Sequence, residues 1–349
     1  MTDFGSDTAT RPGAAMRRAM AEAVVGDEQR REDPTVTRLE EMIAPILGQE
    51  AAVFLPSATM ANAIAFKVHI RPGEEVILET WAHPANFEGG GPAGLAGASL
   101  RLLPGRCGIF TAQQVEEAIR PDDPHFPRTR LVSVEQTTNI GGGAVWSLEQ
   151  VKSVVEVARR HGLRAHLDGA RLMNAQMAAG VPAARFGSLF DSVTLCFSKG
   201  LGAPVGAVTA GSRAYAAEAR RLKHMLGGAM RQAGVLAAAC LYALEHHVDR
   251  LAEDHANARL LGQGLAAIPG ITLDPPEIQS NMVFFRVDGL GLTSREFVAE
   301  LLKHGVRMGS NVPPRIRAVT HLDVDRAAVD RALEAARAVA DAARGAARR

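Results

Sequence analysis

The chain has 349 residues, of which 39 are basic, 38 are acidic and 47% are apolar. This apolar share excludes a disordered chain, and the length provides a core for two domains or for one large domain with an appendage. The net charge of +1 creates no global field that attracts nucleic acid or an anionic membrane, so we expect neither as a partner.

The sequence predicts a cytoplasmic protein. The N-terminus is polar and has no apolar stretch of the signal-peptide kind, and the uncharged run 233–244 is too short to span a bilayer. Cys107, Cys196 and Cys240 are far apart and form no CxxC motif, which argues against disulfides and zinc ribbons. The histidine pair at 246–247 has no further ligands at metal-binding spacing, so no metal is predicted.

The pattern at the start of the chain predicts an N-terminal arm followed by two helices. Residues 1–15 carry no periodic apolar pattern and are assigned to the arm. Apolar residues then recur at helical spacing in 16–25 and 35–47, and a glycine follows each stretch. The short apolar run 51–55 and the helical stretch after Pro56 complete a strand, a turn and a helix.

Strands and helices then alternate, which predicts a large α/β domain over residues 16–250. The strongest helix is 148–161, and residues 213–247 are Ala-rich and helical. Further short apolar runs lie at 75–78, 100–103, 131–134, 165–167, 193–197 and 207–210. Apolar strands that alternate with helices indicate a mostly parallel sheet covered on both faces.

After residue 250 the pattern changes, and we predict a small α+β domain over 251–349. A long helix is followed by a strand at 281–287, a helix at 294–304, a strand at 316–319 and a final helix from Val324.

Three segments place polar groups at the carboxyl ends of predicted strands, where ligands bind in parallel α/β sheets. Ser57, Ala58 and Thr59 stand between a strand and a helix, a position that suits a phosphate and equally an ordinary helix cap. Asp168 closes an apolar strand and requires a cation, either in a functional role or in an ion pair with Arg171.

Lys199 is the third of these positions. Lysine is rare here, at five of the 39 basic residues, and Lys199 follows an apolar strand and precedes Gly200. Burial lowers the pKa of a lysine and prepares it for condensation with a carbonyl, although a buried lysine paired with an acid is also common. Together the three segments supply a phosphate cradle, a carboxylate for a pyridinium nitrogen and a lysine for an aldehyde, which predicts pyridoxal 5′-phosphate as cofactor.

The motifs around these residues resemble those of threonine aldolases, which are fold type I pyridoxal-phosphate enzymes of the β-eliminating lyase group. The resemblance runs from SDTATRP near residue 6 to IRAVTHLDV ending at residue 324, and is most specific in HLDGARLMNA (166–175), SKGLGAPVG (198–206) and MLGGAMRQAG (225–234). It implies a fold type I transferase-like architecture, with a mostly parallel sheet in a large domain and a small C-terminal α+β domain.

The resemblance also implies residue roles. Lys199 corresponds to the lysine that binds the cofactor and Asp168 to the partner of the pyridine nitrogen. His83 corresponds to the histidine that stacks on the cofactor ring. The phosphate is implied at Ser57, Ala58 and Thr59, the substrate carboxylate at Ser6, Arg171 and Arg317, and a phosphate contact across a subunit interface at Arg231. The family is usually tetrameric, so a homotetramer is expected.

Two positions depart from the family pattern. Thr138 stands where a second active-site histidine is common, and Arg30 and Arg31 replace a Tyr-Gly pair. Because threonine is no base near neutral pH, His83 or Glu88 becomes the candidate for removing the β-hydroxyl proton, directly or through water.

The implied reaction is cleavage of L-threonine, L-allo-threonine or a related β-hydroxy-α-amino acid to glycine and an aldehyde. Alternative reactions on the same scaffold are β-elimination, transamination and racemisation. Arg30 suggests a further alternative, an aldolase for bulkier or acidic substrates. The last alternative is a non-catalytic binding or assembly module.

Overall fold

The computed structural model describes residues 1–347, apart from the side chains at positions 311, 346 and 347. Its strands are β1 (Thr2–Asp3), β2 (Ala51–Leu55), β3 (Glu75–Glu79), β4 (Ser99–Leu103), β5 (Thr129–Glu135), β6 (Arg164–Asp168), β7 (Ser192–Cys196), β8 (Ala207–Gly211), β9 (Thr272–Leu273), β10 (Met282–Arg286), β11 (Val306–Arg307), β12 (Gly309–Val312) and β13 (Arg315–Val319).

The α-helices cover most of the connections between the strands. They are α1 (Ala14–Ala21), α2 (Pro34–Ile46), α3 (Ala58–His69), α4 (His83–Asn86), α5 (Gly91–Ala96), α6 (Ala112–Ala118), α7 (Leu148–Arg160), α8 (Leu172–Ala179), α9 (Ala183–Gly187), α10 (Arg213–Met225), α11 (Gly234–His246), α12 (Leu251–Ala266), α13 (Ser294–Lys303) and α14 (Arg326–Ala347). No helix in the described range is both long and apolar enough to cross a membrane.

Seven strands form the central sheet in the order β2-β8-β7-β6-β5-β3-β4. Only β8 is antiparallel to its neighbours, β2 and β7. The strands β2, β3, β4, β5, β6 and β7 therefore all point the same way, and their carboxyl ends lie along one edge of the sheet. The fold is the mostly parallel α/β architecture that the sequence predicts.

The N-terminal residues are ordered, although their sequence has no periodic pattern. β1 pairs in parallel with β11, more than 300 positions along the chain. The Phe4 amide donates to the Arg307 carbonyl and the Phe4 carbonyl accepts from Val319, both at 2.8 Å. The Phe4 ring is fully buried in the core of the C-terminal part, so the start of the predicted arm packs with that part of the chain.

The C-terminal part has its own core and its own antiparallel sheet, in the order β12-β13-β10-β9. Core residues from Met16 to Leu251 pack with the central sheet, and most of those from Ala258 onward pack with Phe4 in a separate cluster. The limits 1–15, 16–250 and 251–349 for arm and domains stay predictions.

Two helix predictions need correction. The helix predicted over 16–25 spans Ala14–Ala21 instead. The helical stretch predicted over 213–247 consists of α10 and α11, separated by a connection in which Gly227 adopts a φ of +76°, a value that favours glycine.

The burial of Phe4 generates a stability prediction. Phe4→Ala opens a cavity in the C-terminal core and should lower the free energy of unfolding by about 3–5 kcal/mol. Denaturant unfolding at neutral pH measures this change. Phe126→Ala is the matched control, because Phe126 is exposed and the same change there should cost less than about 1 kcal/mol. Equal effects would show that the N-terminal segment does not help to hold this core.

Candidate active site

A cavity of about 210 Å³ opens at the carboxyl edge of the central sheet. Five of the residues singled out in the sequence line it, namely Ser6, His83, Arg171, Lys199 and Arg317. Ser6 comes from the N-terminal segment, Arg317 from β13, and the other three from the loops and helices that follow central strands. The fold thus brings together segments from the whole length of the chain.

Lys199 lies in the turn after β7 and is half-buried at the cavity wall. Within residues 1–347, no acidic side chain forms an ion pair with it. The alternative of a structural lysine paired with an acid is therefore not what the structure contains.

Asp168 is the last residue of β6, and its side chain is buried. One carboxylate oxygen accepts a hydrogen bond of 2.8 Å from the Asn62 side chain and the other accepts one of 3.1 Å from the Ala170 amide. No cationic side chain in the described range forms an ion pair with it, so the alternative of an Asp168–Arg171 pair is wrong. A buried carboxylate without a counter-charge is costly unless a ligand supplies the cation.

Arg171 instead pairs with Asp7. Its Nε and Nη2 atoms each donate a hydrogen bond of 2.7 Å to one oxygen of the Asp7 carboxylate, and both side chains are almost completely buried. Burial alone raises the pKa of Asp7, but the charge and hydrogen bonds of Arg171 outweigh it and hold that pKa well below its usual range. Arg171 lines the cavity, and the two hydrogens on Nη1 and the second one on Nη2 are left for a ligand.

Arg317 and Ser6 face the cavity beside this pair. Arg317 donates to the Asn139 side chain and to the Gly5 carbonyl, both at 3.0 Å. The Ser6 hydroxyl accepts from the amide and the hydroxyl of Thr8. Together with Lys199, the two guanidinium groups give the cavity a cationic lining that suits a carboxylate.

His83 and Glu88 form a hydrogen-bonded pair at this edge. Nδ1 of His83 lies 2.8 Å from Oε1 of Glu88, which also accepts a hydrogen bond from Asn62 at 2.8 Å. Burial raises the pKa of Glu88, whereas burial lowers that of His83 but is outweighed by Glu88 and Asp168, so its pKa also ends above the usual value. Of the two candidate bases, His83 lines the cavity and Glu88 lies behind it.

The segment Ser57–Thr59 forms the start of α3. The Ser57 hydroxyl accepts from the Met60 amide at 3.2 Å, so it is a helix cap, and the exposed first turn still presents its free amides at the same sheet edge. Ala58 is helical and has no positive φ, so the backbone there does not require a glycine.

Arg231 lies outside the cavity of its own chain. It is in the connection between α10 and α11, is largely exposed, and donates to Asp27 at 3.0 Å. Arg30 is also exposed, 3.9 Å from Asp27, and does not line the cavity.

Thr138 has a structural role in this chain. Its buried hydroxyl donates to the Cys107 carbonyl at 3.0 Å and accepts from the Ala144 amide at 3.1 Å. Both bonds hold the loop that follows β5, and Thr138 does not line the cavity.

Three site residues were not singled out from the sequence. Glu135 ends β5 opposite Asp168, and burial together with the Asp168 charge raises its pKa to about 7. Its position at the end of an apolar strand is the same signal that marks Asp168. Asn62 lies inside a helix and Asp7 beside Ser6, and neither position carries a signal in the sequence.

The comparisons with known proteins agree with this geometry. A family model described as beta-eliminating lyase matches residues 3–288. Low-specificity L-threonine aldolase 1 of Arabidopsis thaliana is 42% identical, with 91% of this chain and 90% of that protein covered. The low specificity L-threonine aldolase of Escherichia coli K12 is also 42% identical, over 93% and 95%. The solved structure of Leishmania major threonine aldolase matches with a TM-score of 0.84 at 21% identity, covering 97% of this chain and 100% of that one.

The buried pair generates a prediction about acid stability. Asp7→Asn leaves the Arg171 charge unpaired and should lower the free energy of unfolding by about 3–5 kcal/mol at pH 7. Because the pKa of Asp7 is depressed in the folded state, the carboxylate stabilises the protein above the unfolded pKa of about 4, and this contribution is lost progressively as the pH falls below that value. Denaturant unfolding from pH 7 downward should show the two proteins converging in acid.

Asp323→Asn is the control for this experiment. Asp323 pairs with Arg11, whose side chain is 86% exposed, and such pairs contribute about 0–1 kcal/mol. A difference for Asp7→Asn that is as small, or that does not change with pH, would contradict the assignment.

Proposed function

Since the chain belongs to the β-eliminating lyase family, we propose that it cleaves L-threonine, L-allo-threonine or a related β-hydroxy-α-amino acid to glycine and an aldehyde, with pyridoxal 5′-phosphate as cofactor. The enzyme is a lyase that breaks a carbon–carbon bond. The observation that carries the proposal is a buried carboxylate without a cation, Asp168, at the same sheet edge as the unpaired amine of Lys199.

The residues present fit this cofactor. Asp168 accepts hydrogen bonds only from uncharged donors in the described range and offers its charge to a pyridinium nitrogen. The exposed first turn of α3 offers amides to a phosphate, and Lys199 offers an amine at the cavity. When bound, the cofactor supplies an aldehyde that condenses with amines and a ring that accepts the electron pair released on bond cleavage.

The cationic lining positions the substrate. We assign the substrate carboxylate to Arg317, Ser6 and the guanidinium hydrogens of Arg171 that Asp7 leaves free, which face the cavity together. Fixing the carboxylate fixes the rotation about the bond between the substrate's amine nitrogen and Cα. This rotation selects which bond at Cα is broken and helps to lower the activation barrier of the cleavage.

His83 is the base that we propose for the β-hydroxyl proton. Its Nδ1 atom is engaged by Glu88, so Nε2 is the atom left for the cavity, directly or through a water molecule. Glu88 then acts behind His83 and stabilises the imidazolium that forms. Thr138 takes no part, because both of its hydrogen bonds are structural.

We also propose a cytoplasmic homotetramer in which Arg231 contacts the phosphate bound by a neighbouring subunit. In its own chain Arg231 is exposed and away from the cavity, and Arg30 lies on the same surface near Asp27. Both are therefore free to face another copy. The second candidate function is an aldolase for bulkier or acidic substrates, which is suggested by Arg30 at the position of the family's tyrosine.

Lys199→Ala tests the proposed reaction. The parent enzyme with added cofactor should release acetaldehyde from L-threonine or L-allo-threonine, and the variant should lose this activity by a factor of at least about 10³ because the amine is removed. Borohydride reduction followed by peptide mapping should place the cofactor on Lys199 in the parent. Lys152→Ala, an exposed change on α7, should leave both results unchanged.

The products separate the alternatives. Release of 2-oxobutyrate and ammonia, or inversion at Cα without cleavage, would move the proposal to elimination or racemisation on the same residues. A keto acid formed together with aminated cofactor would indicate transamination. Cofactor binding without turnover of any β-hydroxy-α-amino acid would favour the non-catalytic module.

Arg231→Ala tests the shared phosphate site. Loss of one charged hydrogen bond should weaken cofactor affinity by about 10-fold, measured by fluorescence titration. Light scattering shows whether the variant keeps the parent's assembly. Arg221→Ala, an exposed arginine on α10, serves as control. Unchanged affinity in an intact tetramer would remove Arg231 from the site.

A further inference from the structure

A continuous line of polar side chains runs through the core behind Asp168. On β6, His166 and Asp168 are two positions apart and face the same side of the sheet. On α3, Asn62 and His69 are two turns apart and lie on the helix face that covers this part of the sheet. Ser192 begins β7 directly opposite His166.

Short hydrogen bonds connect these groups in sequence. His69 Nε2 lies 2.8 Å from the Ser192 hydroxyl, which lies 2.8 Å from His166 Nδ1. His166 Nε2 lies 3.2 Å from Asn62 Oδ1, and Asn62 Nδ2 lies 2.8 Å from both Asp168 Oδ2 and Glu88 Oε1. His69 forms part of the wall of a wide surface pocket, so the line joins that surface to the active site.

The two carboxylates determine the direction of every bond in this line. Because Asp168 and Glu88 accept, Asn62 must aim both of its amide hydrogens at them, and its oxygen then faces His166. His166 must therefore carry its proton on Nε2. Burial lowers the pKa of His166 to about 3, which keeps the ring neutral and leaves Nδ1 as an acceptor for the Ser192 hydroxyl.

The opposite orientation of the Asn62 amide would leave its oxygen facing two carboxylate oxygens. A rotated amide would aim Oδ1 at two carboxylate oxygens and Nδ2 at His166, which is possible only with protons on both carboxyl groups. The carboxylates thus set the orientation of the amide, and the hydrogen on His166 Nε2 adds the bond to Oδ1 that holds it there.

We propose that His166 is a positioning residue for the cofactor: it holds the Asn62 amide in the orientation that donates to Asp168, so that this carboxylate stays in place for the ring nitrogen. The inference rests on the proposed function, because that nitrogen belongs to pyridoxal 5′-phosphate. The same Asn62 amide then serves two groups: it donates to Asp168, the partner of the ring nitrogen, and to Glu88, which is hydrogen-bonded to His83.

A neutron structure of the cofactor-free protein tests the direction of the bonds. We expect deuterium on Nε2 of His166, none on its Nδ1, and both amide deuteriums of Asn62 directed at the carboxylates. Deuterium on Nδ1, alone or together with Nε2, would overturn the proposal. This readout involves no bound cofactor, so it stands even if the enzyme has another ligand.

Variants of the purified holoenzyme test the consequence. His166→Leu removes the donor to Asn62, and cofactor affinity should fall on the order of 10- to 100-fold. The visible absorbance of the bound cofactor should change as well, because Asp168 is no longer held in place beside the ring. His166→Gln keeps an amide donor and an acceptor, and should restore most of both. Asn62→Leu should reproduce the defect, and the double variant should cost no more than one single variant, because both act through the same bond.

His255→Leu is the matched control. His255 is another buried histidine of low pKa, bonded to Asn174 and not part of the line that leads to Asp168, so its loss should leave the cofactor spectrum unchanged. If His166→Leu alters unfolding as His255→Leu does but binds cofactor like the parent, His166 is merely structural and the proposal fails. If the parent itself binds no cofactor, the proposed function fails instead.

Discussion

The buried pair between Asp7 and Arg171 is the interaction on which the candidate active site depends. Arg171 precedes α8 beside the central sheet, and Asp7 belongs to the N-terminal segment whose first residues pair with β11. Asn281, just before β10, also approaches the Asp7 carboxylate. One carboxylate thus joins the central sheet, the N-terminus and the C-terminal sheet. Neither charge has another partner of opposite sign within residues 1–347, so the pair is stable only when it is complete.

Around the Asp7–Arg171 pair the charged side chains are arranged in two layers. Cationic groups, Lys199, Arg171 and Arg317, line the cavity where an amino acid carboxylate would enter. Acidic groups lie behind them, with Asp168 and Glu135 adjacent at the ends of paired strands. Burial and the nearby charge of Asp168 raise the pKa of Glu135 to about 7. An additional cation between the layers relieves this repulsion, which is the electrostatic property that a protonated pyridine ring brings.

The sequence was sufficient to predict the parallel sheet, and its strand ends marked Lys199 and Asp168, because apolar strands closed by a polar residue are a local pattern. The resemblance added His83, Ser6 and Arg317, which line the cavity with Lys199. The partner of Arg171 was not predictable locally: Asp168 is its near neighbour in sequence, whereas Asp7 is 164 positions away. The Asn62 network depends on how α3 packs on β6, which no single-segment pattern contains.

The pairing of β1 with β11 also fixes the order of events during synthesis. Thr2 and Asp3 are synthesised more than 300 residues before their partners, Val306 and Arg307. All seven strands of the central sheet are complete by residue 211, so a nascent chain holds Lys199 and Asp168 long before Arg317 and the Phe4 pocket exist. Long-range contacts of this kind form late. The cavity is therefore completed only after β13 has been made, and a chain that stops short of β13 has no closed site in which to bind an amino acid.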